Sequence, residues 1–277
     1  MIDLFIFHIP ENDSEDDPRF ILMEMMITSA KRVCDIEKIH LYTWSSSRIP
    51  PGLSVDNIVR ISPEGVARTD VQLARTYAIM EFLKSDLFSR NTISVEYDQL
   101  FQKSPEYAFS YTFDVGLTYA CSSKKRQEFA GKINGGVSFW RKTDRVLSYY
   151  RAYLKQFELT KDDIDTRFTI EGKNPKRKEW GGDECVHVDL LPGELFEDGH
   201  QVLRSLTILD AKIMLMPADE FNCQLGRKNG NDSADLPYLE KTTIRHFHGW
   251  KKHFMAKYAK QLLKIDVEAI NKKIKQK

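Results

Sequence analysis

Residues 2–9, Ile-Asp-Leu-Phe-Ile-Phe-His-Ile, are almost continuously apolar over the length of one strand. A strand covered on one face alternates apolar with polar residues, whereas a strand covered on both faces by helices need not. The run therefore predicts a core strand of a parallel sheet. A parallel sheet in turn obliges the chain to alternate strands with long crossover connections.

The remaining pattern alternates in that way. Asp17-Pro18 reads as a cap and a first-turn proline for a helix running to about Cys34. Short strands are predicted over 39–44 and 57–61, and Thr69 or Asp70 caps a helix whose Val71, Ala74, Ala78, Phe82 and Leu83 form an apolar stripe. The β-branched run 91–98 ends abruptly in acids, so it reads as a strand with carboxylates at its C-terminal tip, where open α/β sheets bind ligands. Further strands are predicted over 111–119, 136–141 and 211–216, with helices over 144–157 and about 183–190; 158–182 and 219–243 read as long polar surface excursions. The expected fold class is α/β, a mostly parallel central sheet flanked by helices. No internal repeat interrupts it.

Charge narrows the function classes. Lys+Arg at 41 against Asp+Glu at 40 leaves a net +1, so the whole molecule has no field that gathers nucleic acid. From Lys251 onward there are nine lysines against Asp266 and Glu268, a local +7 on a body at −6. Phe254, Tyr258, Leu262, Ile265, Ala269 and Ile270 recur there at steps of three to four, which predicts an amphipathic C-terminal helix with a basic face. Such a helix either docks on the body or lies on anionic lipid headgroups. Cys34, Cys121, Cys185 and Cys223 are scattered, as in a reducing compartment. With no basic leader at Met1 and no apolar run of about 18 residues, a cytoplasmic location is expected.

Several clusters carry potential chemistry. On a strand, Glu96 and Asp98 leave on one face with Tyr97 on the other, and two carboxylates on one face repel unless a cation joins them. Oxygen-rich sites suit Mg²⁺ or Mn²⁺, which keep positions open for substrate phosphates. The competing reading is a solvated strand end. His246-Phe247-His248-Gly249-Trp250-Lys251-Lys252 gathers imidazoles, a glycine that lets backbone approach a ligand, and ammonium groups; its alternative is a basic loop before a basic helix. Asn134-Gly135-Gly136 marks a close backbone approach to a ligand or a neighbouring strand. Gly181-Gly182-Asp183-Glu184 has the form of a helix start with acids in its first turn.

Taken in order, the acidic triplet, Asp114-Val115-Gly116-Leu117-Thr118-Tyr119, Asn134-Gly135-Gly136, Trp180-Gly181-Gly182-Asp183-Glu184 and His246-x-x-Gly249-x-x-Lys252 form a recognisable series. The chain resembles a nucleotide-diphospho-sugar glycosyltransferase of the GT-A fold, on the family 8 side, over roughly residues 2–255. The resemblance implies a catalytic domain over 1–255 and a basic C-terminal helix over 256–277. It sets Glu96-Tyr97-Asp98 where the D-x-D triplet of such enzymes holds a divalent cation, Mn²⁺ or Mg²⁺, on the donor pyrophosphate. Asp98 is then the metal ligand; Glu96, one methylene longer than the usual Asp, meets the metal, a water ligand or the ribose. His246 corresponds to the late metal-binding His, with His248 as a competitor. Lys252 corresponds to the Lys that meets the departing diphosphate, although His253-Phe254 replaces the Pro-Trp that often follows.

The same resemblance assigns Asn134, Gly135 and Gly136 to the sugar pocket, Tyr97, Gly249 and Arg75 to the donor's surroundings, and Asp183 to the transferred sugar near its reacting carbon. It implies a nucleotide-sugar donor, UDP-linked, and a saccharide, lipid-linked or protein hydroxyl as acceptor, with retention of configuration. Glycosyl transfer fits these residue types. Negative charge gathers on the leaving diphosphate, where a cation and Lys252 stabilise it, and a carboxylate such as Asp183 answers the oxocarbenium character of the sugar.

Two other readings start from different residues. Asp165 followed by Glu171-Gly172-Lys173 echoes the acid and E-x-K arrangement of metal-dependent nucleases, against which stand the acidic body and the lack of an apolar strand around Asp165. The other reading is a catalytically silent sugar-nucleotide-binding scaffold docked on a membrane by its last helix.

Overall fold

All six residues from Ile2 to Phe7 are buried, as expected of a strand sandwiched between layers. This is β1 (Ile2–Phe7) in a computed structural model that describes residues 1–119, 133–169, 186–187, 189–191, 203–224, 240–247 and 249–275. Its one acid, Asp3, is tied inside: Lys38 N donates to Oδ1 at 3.0 Å and the His40 ring stands 3.5 Å from Oδ2. Both partners belong to β2 (Ile36–Trp44), which runs parallel to β1 with Phe5 opposite His40. Between them α1 (Arg19–Val33) makes the crossover, and its start is set by Asp17, whose Oδ1 accepts from Arg19 N at 2.9 Å.

The fold is mixed α/β, with a large, mostly parallel central sheet flanked by helices. The chain divides into two compact units. The first comprises Met1–Arg60, Ile93–Ser110 and Asp219–Lys277, and the second Ile61–Thr92 and Tyr111–Ala218. In the first, the strands run in the order β3 (Asn57–Ile61), β2, β1, β4 (Thr92–Val95). A small second sheet of the same unit orders β10 (Cys223–Gln224), β11 (Ile244–His246) and β5 (Gln99–Phe101). In the second unit the order is β7 (Ile133–Trp140), β6 (Val115–Tyr119), β9 (Ala211–Pro217), β8 (Arg204–Ile208), with β6 parallel to β9 and antiparallel to β7. Gly116 lies where a side chain would meet Met216 of the neighbouring strand, with a Cβ only 2.6 Å from its Cε. Two helices, α2 (Val71–Lys84) and α3 (Asp144–Thr169), pack on each other, and Asp70 caps α2 by accepting from Leu73 N at 3.3 Å.

Beside shifts of a few residues at β2, β6 and β7, three departures from the sequence reading stand out. First, β4 ends at Val95, so Glu96, Tyr97 and Asp98 occupy a turn into β5 and not the strand itself. Gln99 explains the early stop: its Oε1 accepts from Glu96 N at 3.3 Å and closes the chain on itself. Second, α3 continues to Thr169, so the first part of the predicted excursion 158–182 is helical. Third, the basic C-terminal segment forms α5 (His253–Gln261) and α6 (Val267–Ile274) in place of one helix; a short α4 (Ala218–Phe221) precedes β10. Lys264 takes a left-handed φ of 54°, and Asp266 then caps α6 by accepting from Ala269 N at 2.9 Å. The apolar side is buried through Met255, Tyr258, Ile265, Ile270 and Ile274. Lys273 Nζ lies 2.6 Å from the buried Glu24 carboxylate of α1.

Candidate metal centre

The second sheet brings two distant stretches of sequence together. Antiparallel pairing of β5 with β11 sets His246 opposite Gln99, and Phe247 N donates to the Asp98 carbonyl at 2.8 Å. The side chain of His246 thus faces the acidic turn. Its Nε2 lies 3.3 Å from Glu96 Oε2 and 3.3 Å from Asp98 Oδ1. One ligand atom from each of Glu96, Asp98 and His246 falls within 4.8 Å of the others. Asp98 and His246 are buried while Glu96 is half-buried, so the centre opens on the Glu96 side. All three belong to the first unit.

Burial works against a charge on His246, yet the Asp98 and Glu96 carboxylates outweigh it and raise the pKa from 6.5 to about 10. A proton on His246 therefore does part of what a cation would do, holding two carboxylates together. Two carboxylate oxygens and one imidazole nitrogen, with no thiolate among them, are a donor set suited to Mn²⁺ or Mg²⁺, and both carboxylates are within reach of one ion. The residues fit such an ion.

Lys252 completes the cluster. It ends a 3-10 turn, Gly249–Lys252, that starts with Gly249 at a left-handed φ of 65°, where a glycine is favoured. Its Nζ lies 3.1 Å from Asp98 Oδ2, donates to the Tyr97 hydroxyl and stands 4.3 Å from the centre of the Tyr97 ring. Burial opposes the lysine's charge, but Asp98 outweighs it and the pKa is raised.

The other residues singled out from sequence fall in the second unit or outside the described residues. Arg75 Nη2 donates to the Gly135 carbonyl at 2.6 Å, which joins two residues 60 apart that sequence alone left separate. Asn134 Oδ1 accepts from Gly136 N at 3.0 Å, and Thr118 Oγ1 donates to the Asn134 carbonyl at 2.8 Å. Asp183 and His248 lie outside the described residues, as do Glu171 and Lys173; Asp165 is on α3.

Sequence reasoning gave no site role to His8, and treated Asp17 only as a cap. Both are buried beside the centre, with His8 Nε2 3.6 Å from Asp17 Oδ2 and the His8 ring edge-on to Tyr97 at 4.9 Å between centroids. The available signal was an imidazole near the C-terminal end of a run otherwise fit for complete burial.

No family model and no curated protein matches the chain. Among solved structures it is similar to the glycosyltransferase GlyE of Streptococcus pneumoniae TIGR4, with TM-score 0.56 and 14% identity over 98% of this chain and 63% of that one. The apo form of GlyE gives TM-score 0.54 and 15% identity over 97% of this chain and 61% of that one. A glycosyltransferase involved in glycosylation of the major capsid of PBCV-1 gives TM-score 0.50 and 9% identity over 94% of this chain and 99% of that one. This chain therefore shares the fold of glycosyltransferases, and spans less than two thirds of the GlyE chain.

Proposed function

We propose that the chain is a metal-dependent glycosyltransferase that moves a sugar from a UDP-linked donor to a hydroxyl of a saccharide, lipid-linked glycan or protein, with retention of configuration. The observation that carries it is the convergence of Glu96, Asp98 and His246 within 4.8 Å, with the Lys252 ammonium 3.1 Å from Asp98. The fold shared with glycosyltransferases supports the same reading.

In this reading Asp98 and His246, with Glu96, hold Mn²⁺ or Mg²⁺ against the donor pyrophosphate. The ion supplies charge neutralisation on the diphosphate when bound. Lys252 brings a second positive charge to the same leaving group, already oriented by Asp98 and Tyr97, so little reorganisation accompanies bond breaking. The resemblance makes Arg75, Asn134, Gly135 and Gly136 donor-binding residues, and Gly249 lets the backbone approach a phosphate. The resemblance assigns Asp183 to the transferred sugar, and in this reading the acceptor proton passes to the departing diphosphate. The enzyme works in the cytoplasm, and the exposed lysines of α5 and α6 give it a face that anionic membrane attracts.

The test is donor turnover. Nucleotide sugars are incubated singly with the protein and Mn²⁺, and released nucleoside diphosphate is measured. One donor is expected to turn over, and Asp98→Ala to lower its rate by about 100-fold or more, the scale of losing an electrostatic clamp on developing charge. The anomeric configuration of the product, read by NMR, decides retention. If no nucleotide sugar is turned over or bound in the presence of Mn²⁺, the reading fails.

A further inference from the structure

A lysine side chain is long and rotatable, so a lysine that must present charge at one point needs something to hold it there. Lys252 is held by more than Asp98. Its ammonium meets both the hydroxyl and the ring of Tyr97, a cation–π contact added to a hydrogen bond. Tyr97 is in turn fixed by His8, whose ring meets it at 60° with centroids 4.9 Å apart.

His8 itself sits on a rigid base. Phe20 of α1 packs against the imidazole at 87° with centroids 5.4 Å apart, and His8 N donates to the Tyr42 carbonyl at 3.0 Å. Asp17, 3.6 Å from Nε2, is held by Glu11 N at 2.8 Å, Arg19 N at 2.9 Å and Arg19 Nε at 3.1 Å. Burial lowers the His8 pKa, which disfavours a second positive charge beside Lys252. A phenylalanine would fill this part of the core at lower cost than a buried imidazole and carboxylate. The imidazole instead keeps the Asp17 carboxylate 3.6 Å from Nε2 while its ring, edge-on to Phe20, meets Tyr97.

We propose that His8 and Tyr97 are positioning residues for Lys252: Tyr97 seats the ammonium through its hydroxyl and ring, and the His8 imidazole, packed on Phe20, seats Tyr97. The consequence for turnover rests on the glycosyltransferase reading above; the geometry does not.

Two measurements test it on the full chain. The first follows acetylation of Lys252 by acetic anhydride, quantified by peptide mass spectrometry in wild type, Tyr97→Phe and His8→Phe. Both variants are expected to label several-fold faster than wild type, since each loosens the seat. His40→Gln is the control, because it disturbs a different buried His–Asp pair, on Asp3, and should lower the melting temperature while Lys252 labels at the wild-type rate. The second follows donor turnover. Tyr97→Phe and His8→Phe should each lower kcat about tenfold with Mn²⁺ affinity kept, and His8→Phe should leave donor KM unchanged, the scale of a small misplacement of a catalytic group. In a Lys252→Met background neither should lower it further, because residues acting through one group are not additive.

Unchanged labelling in both variants, kcat losses that add in full to that of Lys252→Met, or faster labelling in His40→Gln would each overturn the proposal. If wild type turns over no donor and binds no Mn²⁺, the enzymatic reading falls while the labelling comparison still decides the seating of Lys252.

Discussion

At the scale of single residues, the centre is an acid–base balance. The His246 pKa is raised from 6.5 to about 10 in the folded protein, so the folded state holds its proton more tightly than the unfolded chain. That contribution to stability is complete below about pH 6.5 and is lost as pH climbs toward 10. In chelator-containing buffer, stability to urea should fall over this window, and Asp98→Asn should flatten the fall by removing the partner that most raises the pKa. A pH-independent midpoint across that range would contradict the assignment. His187 behaves oppositely. Burial, with Arg75 nearby, lowers its pKa from 6.5 to about 3, so its contribution is complete above 6.5 and declines as pH drops. The decline is about 1.4 kcal/mol per pH unit for one group, and denaturation at pH 5 against pH 7 should show it vanish in His187→Gln. Residue chemistry at the centre was largely legible beforehand: acids, imidazole and ammonium declare themselves by type. His8 did not, because a lone histidine in an apolar run looks the same whether it packs idly or orients a neighbour.

At the scale of elements, periodicity located strands and helices well and their ends less well. Asn57–Ile61 coincides with its prediction, and Asp70 caps α2 as its side chain type suggested. The misjudged ends were decided by single side-chain bonds that no apolar pattern encodes. Gln99 folds back on Glu96 N to stop β4, and Asp266 turns one long amphipathic segment into α5 and α6. Docking of α6 also depends on a small residue from far upstream. A Cβ on Gly52 would lie 2.2 Å from the Lys273 carbonyl oxygen, too close for any side chain, and the α6 backbone would have to move. Gly52→Ala should therefore cost about 1–3 kcal/mol, the usual range for forcing extra volume into a packed contact. Chemical denaturation measures it, and faster hydrogen exchange over α6 would trace the loss to that helix. An unaltered midpoint would mean the C-terminal helix is not seated on Gly52.

At the scale of the whole molecule, the first unit is assembled from three separate stretches of chain, and the metal-ligand set spans two of them. An ion that joins them adds its binding energy to folding. At free Mn²⁺ about 100 times its dissociation constant, the gain is about 2.7 kcal/mol, and a rise in melting temperature with Mn²⁺ that Asp98→Ala abolishes is the expected result. This long-range convergence was anticipated only through the order of motifs along the chain. Apolar patterning says which residues are buried, but not which distant stretches become neighbours, and for Arg75 and Gly135 the only hint was the resemblance that set both near the donor. The separation of Asp98 from His246 also sets a timetable. During synthesis the acidic turn at Asp98 emerges well before its partner, since His246 follows about 148 residues later. A growing chain must therefore carry two mutually repelling carboxylates over that whole interval, and the ion's full grip waits for the imidazole to emerge.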